Sequence, residues 1–256
     1  MFLAVDIGNT HTTFGLMREG KVERECRLTT QRNATADEIE VMLRFLRGIE
    51  EVPKAEWRGS ALCSVVPSVN RAMQTAVRRV TGTEPLVLDS GMDLGLRIGI
   101  DNPREVGMDR LANAVAGKKL HGAPLVIIDY GTATTMDIVS REGDYIGGVI
   151  MAGIEATADA LYIRTSKLPQ IEIQRPDSAI GRSTVGAMMS GIYFGSVDAA
   201  EGMIGRIEAQ LGYEMKVIAT GGIARLIKQD MRRIDRVVED LTLLGIEEIW
   251  NRNSPA

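Results

Sequence analysis

Apolar residues come along this chain in short bursts separated by turn chemistry, and the bursts define the elements. Residues 2–6 read as a buried strand, 12–17 as a second strand reached through the turn Gly8-Asn9-Thr10, and 21–28 alternate well enough for a third. Three consecutive strands of this kind predict an antiparallel meander. Thr35-Ala-Asp-Glu38 has the spacing of a capping box, and Ile39, Met42, Leu43, Phe45 and Leu46 recur at helical intervals, so a helix is expected to about Gly48. A short apolar strand follows at 60–66, then a helix begun by Pro67 and closed near Gly82, then a strand at 85–88.

Asn102-Pro103 can open a helix that runs through Leu120 and closes at Gly122 and Pro124, joining two halves of the chain. The second half repeats the first. Strands are expected at 125–129, 133–139 and 145–150, a helical stretch from about Gly153, a strand at 216–219, and helices from Ile223 and from Leu241.

The repetition extends to individual residues. The stretch FLAVDIGNTHTTFGLMREG (2–20) and the stretch LVIIDYGTATTMDIVSREG (125–143) share Asp6/Asp129, Gly8/Gly131, Thr12/Thr135, Glu19/Glu142 and Gly20/Gly143, each pair 123 positions apart. Five identities without a gap favour an internal duplication. The expected architecture is therefore α/β with two lobes, 1–120 and 121–256, each a mixed sheet that begins with a three-strand meander and is flanked by helices. No flexible linker is visible, so the lobes are expected to pack closely around a cleft faced by both Asp-x-Gly turns.

Composition narrows the class. With 256 residues, 45% hydrophobic and 25% charged, the chain has room for two domains of ordinary globular make-up. The net charge of −4 and pI near 5.4 offer no basic field for nucleic acid or an anionic membrane, so an anionic ligand has to be held locally. Cys26 and Cys63 are too few and too far apart for a disulfide framework or zinc knuckle, and nothing before Asp6 reads as a signal peptide. No apolar run approaches the roughly 20 residues that cross a bilayer. A cytoplasmic protein without membrane or nucleic-acid partners is expected.

A strand that ends in Asp and is followed by Gly and hydroxyl residues sets a carboxylate beside exposed backbone N–H groups. Glycine permits close approach, N–H and hydroxyl groups donate to phosphate oxygens, and the carboxylate can orient a hydrated magnesium ion. The alternative for a single copy is a plain capped turn, an alternative that duplication weakens. KVIATGG at 216–222 adds a third glycine turn before a helix, itself a weak signal. P-loop and Rossmann fingerprints are absent, and His11 and His121, the only histidines, read as surface or turn residues.

DIGNT at Asp6, DNPREVGMDR at Asp101, IDYGTATT at Ile128, TSKLP at Thr165, TGG at Thr220 and DLTLLGI at Asp240 together resemble the type III pantothenate kinases of the actin, sugar kinase and Hsp70-like ATPase superfamily. That resemblance implies two ribonuclease-H-like lobes and ATP-dependent phosphorylation of pantothenate, the first step towards coenzyme A. It further implies Mg²⁺, K⁺ or NH₄⁺, and a homodimer.

Carried onto this chain, the resemblance makes Asp6, Ile7, Gly8, Asn9, Thr10, His11, Thr12 and Thr13 a phosphate-binding segment, with further nucleotide contacts at Thr132, Gly221 and Gly222. Asp129 becomes the monovalent-cation ligand, Asp109 the general base, and Gly107, Met108, Asp109, Arg110 and Thr184 the pantothenate site. Met108 replaces the usual alanine of the GADR pattern, and Ile100 stands where an aromatic residue often contacts substrate.

An Asp that accepts a hydroxyl proton suits phosphoryl transfer, which otherwise rests on positioning and charge neutralisation. Asp109 follows Glu105 by four residues, which would put both on one helical face if the segment is helical. The alternatives are another small-molecule kinase of the superfamily and a regulatory accessory protein of the same fold. The carboxylates at 6, 109 and 129 favour catalysis over a scaffold.

Overall fold

The computed structural model describes residues 1–46, 49 and 52–254, which cluster into two compact units. The first comprises Met1–Leu120 with Asp240–Ala256, the second His121–Glu239.

In the first unit, β1 (Phe2–Ile7), β2 (His11–Arg18) and β3 (Lys21–Thr29) form the expected antiparallel meander. Strand β4 (Gly59–Ser64) then pairs in parallel with β1, and β5 (Leu86–Val87) with β4, giving the order β3-β2-β1-β4-β5. Helix α1 (Ala36–Phe45) starts on the capping box: Thr35 Oγ1 accepts the Glu38 N–H, and the Glu38 carboxylate accepts the Thr35 N–H at 2.7 Å. Helix α1 ends at Phe45, and Gly48, its expected end, lies outside the described residues. Pro67 opens α2 (Pro67–Thr81), and Gly82 closes it in the left-handed conformation at φ +76°. Leu3, Val5, Ile7, Phe14 and Leu16 on one face of the sheet pack against Ile39, Leu43, Val69, Met73 and Val77 of these helices. Each such fully buried aliphatic side chain contributes roughly 1.5–3 kcal/mol through removal from water.

The opposite face of the sheet is covered by helices from later in the chain. Residues 102–107 do not continue α3 (Met108–His121) backwards: Pro103–Glu105 form one 3-10 turn and Val106 is extended, so Glu105 and Asp109 do not share a helical face as expected. The final helix, expected with the second lobe, packs instead on β1 and β4 of the first unit. The cause is its buried stripe, since α7 (Leu241–Asn253) buries Leu241, Leu243, Ile246 and Ile249. Gly245 lets α7 touch the α3 backbone at Ala112, and Trp250 lies where a Cβ on Gly59 would be. Arg58 stacks over Phe2 and Trp250 and pairs with the buried Glu247 carboxylate.

The second unit repeats the plan. Strands β6 (Leu125–Tyr130), β7 (Ala133–Val139) and β8 (Tyr145–Ala152) form the meander, β9 (Lys216–Thr220) pairs in parallel with β6, and β10 (Arg236–Val237) pairs in parallel with β9. The order β10-β9-β6-β7-β8 is that of the first sheet read from the other edge. Helices α4 (Ile154–Arg164), α5 (Thr184–Leu211) and α6 (Ala224–Ile227) flank it over a core that includes Val126, Ile128, Ile192, Tyr193 and Val217. Strand β10 is too short and polar to be read from the sequence.

Register refines the repeat. Thr12 pairs with Ile7, but Thr135 pairs with Asp129, so the structural counterpart of Thr12 is Thr134, paired with Tyr130. The second hairpin turn is one residue shorter, and the 123-residue spacing returns within the next turn, at Glu19/Glu142 and Gly20/Gly143. Among the described residues no helix is long and apolar enough to cross a membrane.

Candidate active site

Strand register gathers the first group. Successive side chains on a strand point to opposite faces, so Asp6 shares a face with its lateral neighbours Thr13 on β2 and Cys63 on β4, away from the Leu3-Val5-Ile7 core. The Cys63 thiol is fully buried and hydrogen-bonded to Asp6. Burial pushes the thiol well above its ordinary range, and the negative charges of Asp6 and Asp109 add to the effect. Cys63 thus lies within electrostatic reach of a carboxylate at the end of β1 and of one at the start of α3.

Asp109 occupies the first turn of α3, where the helix dipole favours a negative charge. Its Oδ1 accepts the Arg110 backbone N–H at 2.9 Å. Burial nevertheless raises its pKa above the usual carboxylate value, overriding the downward pull of that N–H and of the Arg110 charge. A Cβ on Gly107 would meet Asp109 Oδ1, so a larger residue there would displace this carboxylate. Gly107 and Met108 line a cavity of about 710 Å³ together with Ser64, Val65, Asp89 and Arg104. Ile100 is half-buried in the segment that leads from β5 towards α3.

The Gly8-Asn9-Thr10 turn is fastened from behind. Gly8 N–H donates to His11 O at 2.9 Å, Thr30 N–H to Thr10 O at 2.9 Å, and Thr30 Oγ1 to Gly8 O at 2.7 Å. Arg32 donates to Asn9 Oδ1 at 3.0 Å. Thr12 is buried on the core face and bonds Thr30 Oγ1 at 2.9 Å, so its hydroxyl lies on the far side of the sheet from Asp6 while that of Thr13 lies beside it. His11, at the start of β2, meets Arg27 through Nδ1 at 3.3 Å.

The second unit builds a similar turn. Asp129 ends its face of β6 beside Thr135 and Thr220, and Gly131 N–H closes the turn on Ala133 O at 3.1 Å. The Thr220-Gly221-Gly222 segment meets this turn directly: Gly221 has φ +93°, and a Cβ there would lie 2.5 Å from Tyr130 O and 2.7 Å from Asp129 Oδ1. Gly153, which precedes α4, presses on the carbonyls of Gly131 and Thr132 in the same way. Three glycine-bearing segments therefore meet around Asp129 and Thr132. Thr184 is the first helical residue of α5, next to Ser183, whose Oγ accepts the Gly186 N–H at 3.0 Å.

The first unit thus brings Asp6, Thr13 and Asp109 together, and the second joins Asp129, Thr132 and Gly221. Sequence reasoning missed Cys63, Thr30, Arg32 and Gly153. Nothing local marks the first three, because β-sheet pairing and tertiary packing bring them in. Gly153, at the end of the glycine-containing strand YIGGVIMA, had a faint signal.

Comparison with solved structures shows the same fold at low identity. A conserved Campylobacter jejuni protein described as a Baf family transcriptional activator superposes with TM-score 0.62 at 18% identity, over 97% of each chain. The activator of 2-hydroxyisocaproyl-CoA dehydratase from Clostridium difficile, solved with bound ADPNP, gives 0.55 at 13% identity over 100% of this chain and 99% of that one. A Sinorhizobium meliloti protein described as a 2-dehydro-3-deoxygalactonokinase gives 0.58 at 13% over 98% of both. The family model for type III pantothenate kinase matches residues 2–206, which contain both Asp-x-Gly turns and the Asp109 helix. By that match the chain belongs to the type III pantothenate kinase family of ATP-dependent phosphotransferases.

Proposed function

We propose that this chain transfers the γ-phosphoryl group of ATP to the primary hydroxyl of pantothenate. The new bond joins that hydroxyl oxygen to phosphorus, the bond to the β-phosphate bridging oxygen breaks, ADP leaves, and Asp109 takes the hydroxyl proton. The observation that carries this reading is Asp109 itself, a half-buried carboxylate at a helix start whose pKa is raised by burial. A raised pKa improves a base that works near neutral pH.

The remaining roles follow from residue chemistry. Backbone N–H groups of the Asn9–Thr10, Thr132 and Gly221–Gly222 segments suit phosphate oxygens, those of Gly8 and Gly131 being spent on closing their turns. Thr12 serves this segment from behind, through Thr30. Among the described residues no cluster of three or more His, Cys, Asp or Glu side chains could hold a metal alone. The Asp6 carboxylate beside the Gly8-Asn9-Thr10 turn fits magnesium, which binds through one or two carboxylates plus phosphate and water. Such an ion would supply charge neutralisation on the phosphates. Asp129 is the proposed ligand for K⁺ or NH₄⁺, and Arg110 and Thr184 are proposed to contact pantothenate along with Gly107, Met108 and Ile100.

A homodimer is proposed through α5, where a Cβ on Gly191, Gly195, Gly202 or Gly205 would meet nothing within 4 Å. Sedimentation tests that assignment. The test of the function is ADP release with pantothenate, with hexoses and with 2-keto-3-deoxy sugar acids, each in potassium, ammonium and sodium-only buffer. Pantothenate-dependent turnover that falls in sodium is expected. Release with a sugar alone would reassign the substrate, and none with any acceptor would favour the accessory role.

A further inference from the structure

The face of the first sheet opposite Asp6 and Cys63 is incompletely filled. A cavity of about 490 Å³ lies between it and the helices, walled by Phe14, Leu28, Ile39, Met42, Val69 and Met73. A second cavity, of about 430 Å³, shares Phe14 and continues along the same face past Leu16, Leu46 and Ile49 under the end of α1. Both exceed the few voids of a close-packed core and lie within the size range of ligand pockets. Phe14 walls both, and the second is lined by Arg24, Glu25 and Cys26 as well, so an apolar chain is housed by the first.

The rim of the first cavity is polar and exposed, formed by Gln31, Arg32 and Asn33. Its charged groups are Arg32 and Glu38. Glu38 is committed to the α1 cap through the N–H and hydroxyl of Thr35, which leaves Arg32 to attract a ligand charge. Arg32 is also the residue that holds Asn9 at 3.0 Å. Thr12, another wall residue, reaches the Gly8 carbonyl through Thr30. The cavity is therefore wired to the Gly8-Asn9-Thr10 turn by two hydrogen-bonded routes.

We infer that this cavity is an effector site for a free fatty carboxylate, its hydrocarbon chain lying along Phe14 between sheet and α1 and its carboxylate drawing Arg32 away from Asn9. Each buried methylene should tighten binding about fourfold until the apolar walls of the first cavity are used up. Loss of the Arg32–Asn9 bond loosens the turn proposed above for the nucleotide, so the effector weakens ATP binding while leaving the chemical step intact. The inhibitory direction rests on the kinase reading; the binding site does not.

The experiment is calorimetric titration of nucleotide-free protein with decanoate below its micellar concentration, with decanol and hexanoate as controls, followed by steady-state kinetics against ATP. Saturable decanoate binding is expected, weaker for hexanoate and for decanol, with KM for ATP raised about tenfold, an ordinary allosteric coupling, and kcat unchanged. Met42→Trp fills the cavity mouth and Met73→Phe its floor; a variant that melts like the wild type should lose decanoate binding and keep its basal turnover. Absence of saturable binding, or binding that both folded variants retain, overturns the site. Binding without a change in KM overturns the coupling, and absent basal turnover with normal decanoate binding overturns the kinase reading alone.

Discussion

Gly221 approaches Asp129 so closely that a Cβ on it would stand 2.7 Å from Oδ1, and it does so at φ +93°. Two segments more than ninety residues apart in the chain are thereby locked into one turn cluster. Gly221→Ala should cost roughly 1–3 kcal/mol of stability through backbone strain and overpacking. It should also weaken ADP binding, read by calorimetry beside a thermal melt. A variant with wild-type melting and affinity would show that the close approach has no functional weight.

Asp109→Asn keeps the shape of the side chain and removes the base. Turnover should fall by about 10² to 10⁴, the usual contribution of general acid–base catalysis, while nucleotide affinity holds. Single-turnover phosphorylation and ADP titration on the same sample check this. The expectation fails if phosphorylation proceeds at a near-normal rate.

The pH behaviour of that residue has a definite sign. Because burial raises the folded-state pKa of Asp109, its contribution to stability is fully present below the unfolded value and is lost as pH rises through the folded one. At neutral pH the ionised carboxylate is therefore a liability, and Asp109→Asn should melt no lower than wild type and higher if the neighbourhood accepts the amide. The acid limb of kcat/KM should lie above the ordinary aspartate range for the same reason. A melt well below wild type would contradict the burial account.

The two thiols should separate cleanly under a disulfide reagent. Cys26 is partly exposed on β3, whereas Cys63 is fully buried and held as a neutral thiol by burial and two neighbouring carboxylates. Native protein should titrate one fast thiol, and the second only on unfolding. Fast modification of Cys63, read by peptide mapping, would mean that the Asp6–Asp109 pocket is open to solvent.

Gly245→Val tests the support beneath Asp109. The Gly245 contact brings α7 onto the backbone of α3 at Ala112, so a larger residue must push the helices apart. A destabilisation of about 1–3 kcal/mol is expected, together with reduced kcat at unchanged nucleotide affinity, because α3 carries the proposed base. Equal losses in affinity and kcat would point to general unfolding instead.

Much of the framework is legible in the sequence because it rests on local pattern. The two meanders follow from apolar runs such as LAV and LVII, the start of α1 from the Thr35–Glu38 box, and the end of α2 from Gly82. Features that depend on partners distant in sequence are not legible. Helix α7 joins the first unit through Gly59, Ala112 and Trp250, none of which announces the others. Pro103 is a fair helix opener, yet the chain makes only one 3-10 turn there before Val106 extends. Of the candidate site, the duplicated aspartates stood out by repetition, while Cys63 and Arg32 took their positions from pairing and packing alone.

The one-residue difference between the two hairpin turns has an evolutionary reading. Both copies retain strand pairing, side-chain alternation and a register shift at the matching place late in the second strand of each meander, between Leu16 and Met17 and between Ile138 and Val139. The copies differ at the tip, three residues in Gly8-Asn9-Thr10 and two in Gly131-Thr132, and the following turn is longer in the second copy, so the faces of the flanking strands are undisturbed. Descent from a common ancestral half therefore left the tips free to specialise. Exchanging one tip for the other should leave a folded protein whose altered ligand preference records which half had taken on which task.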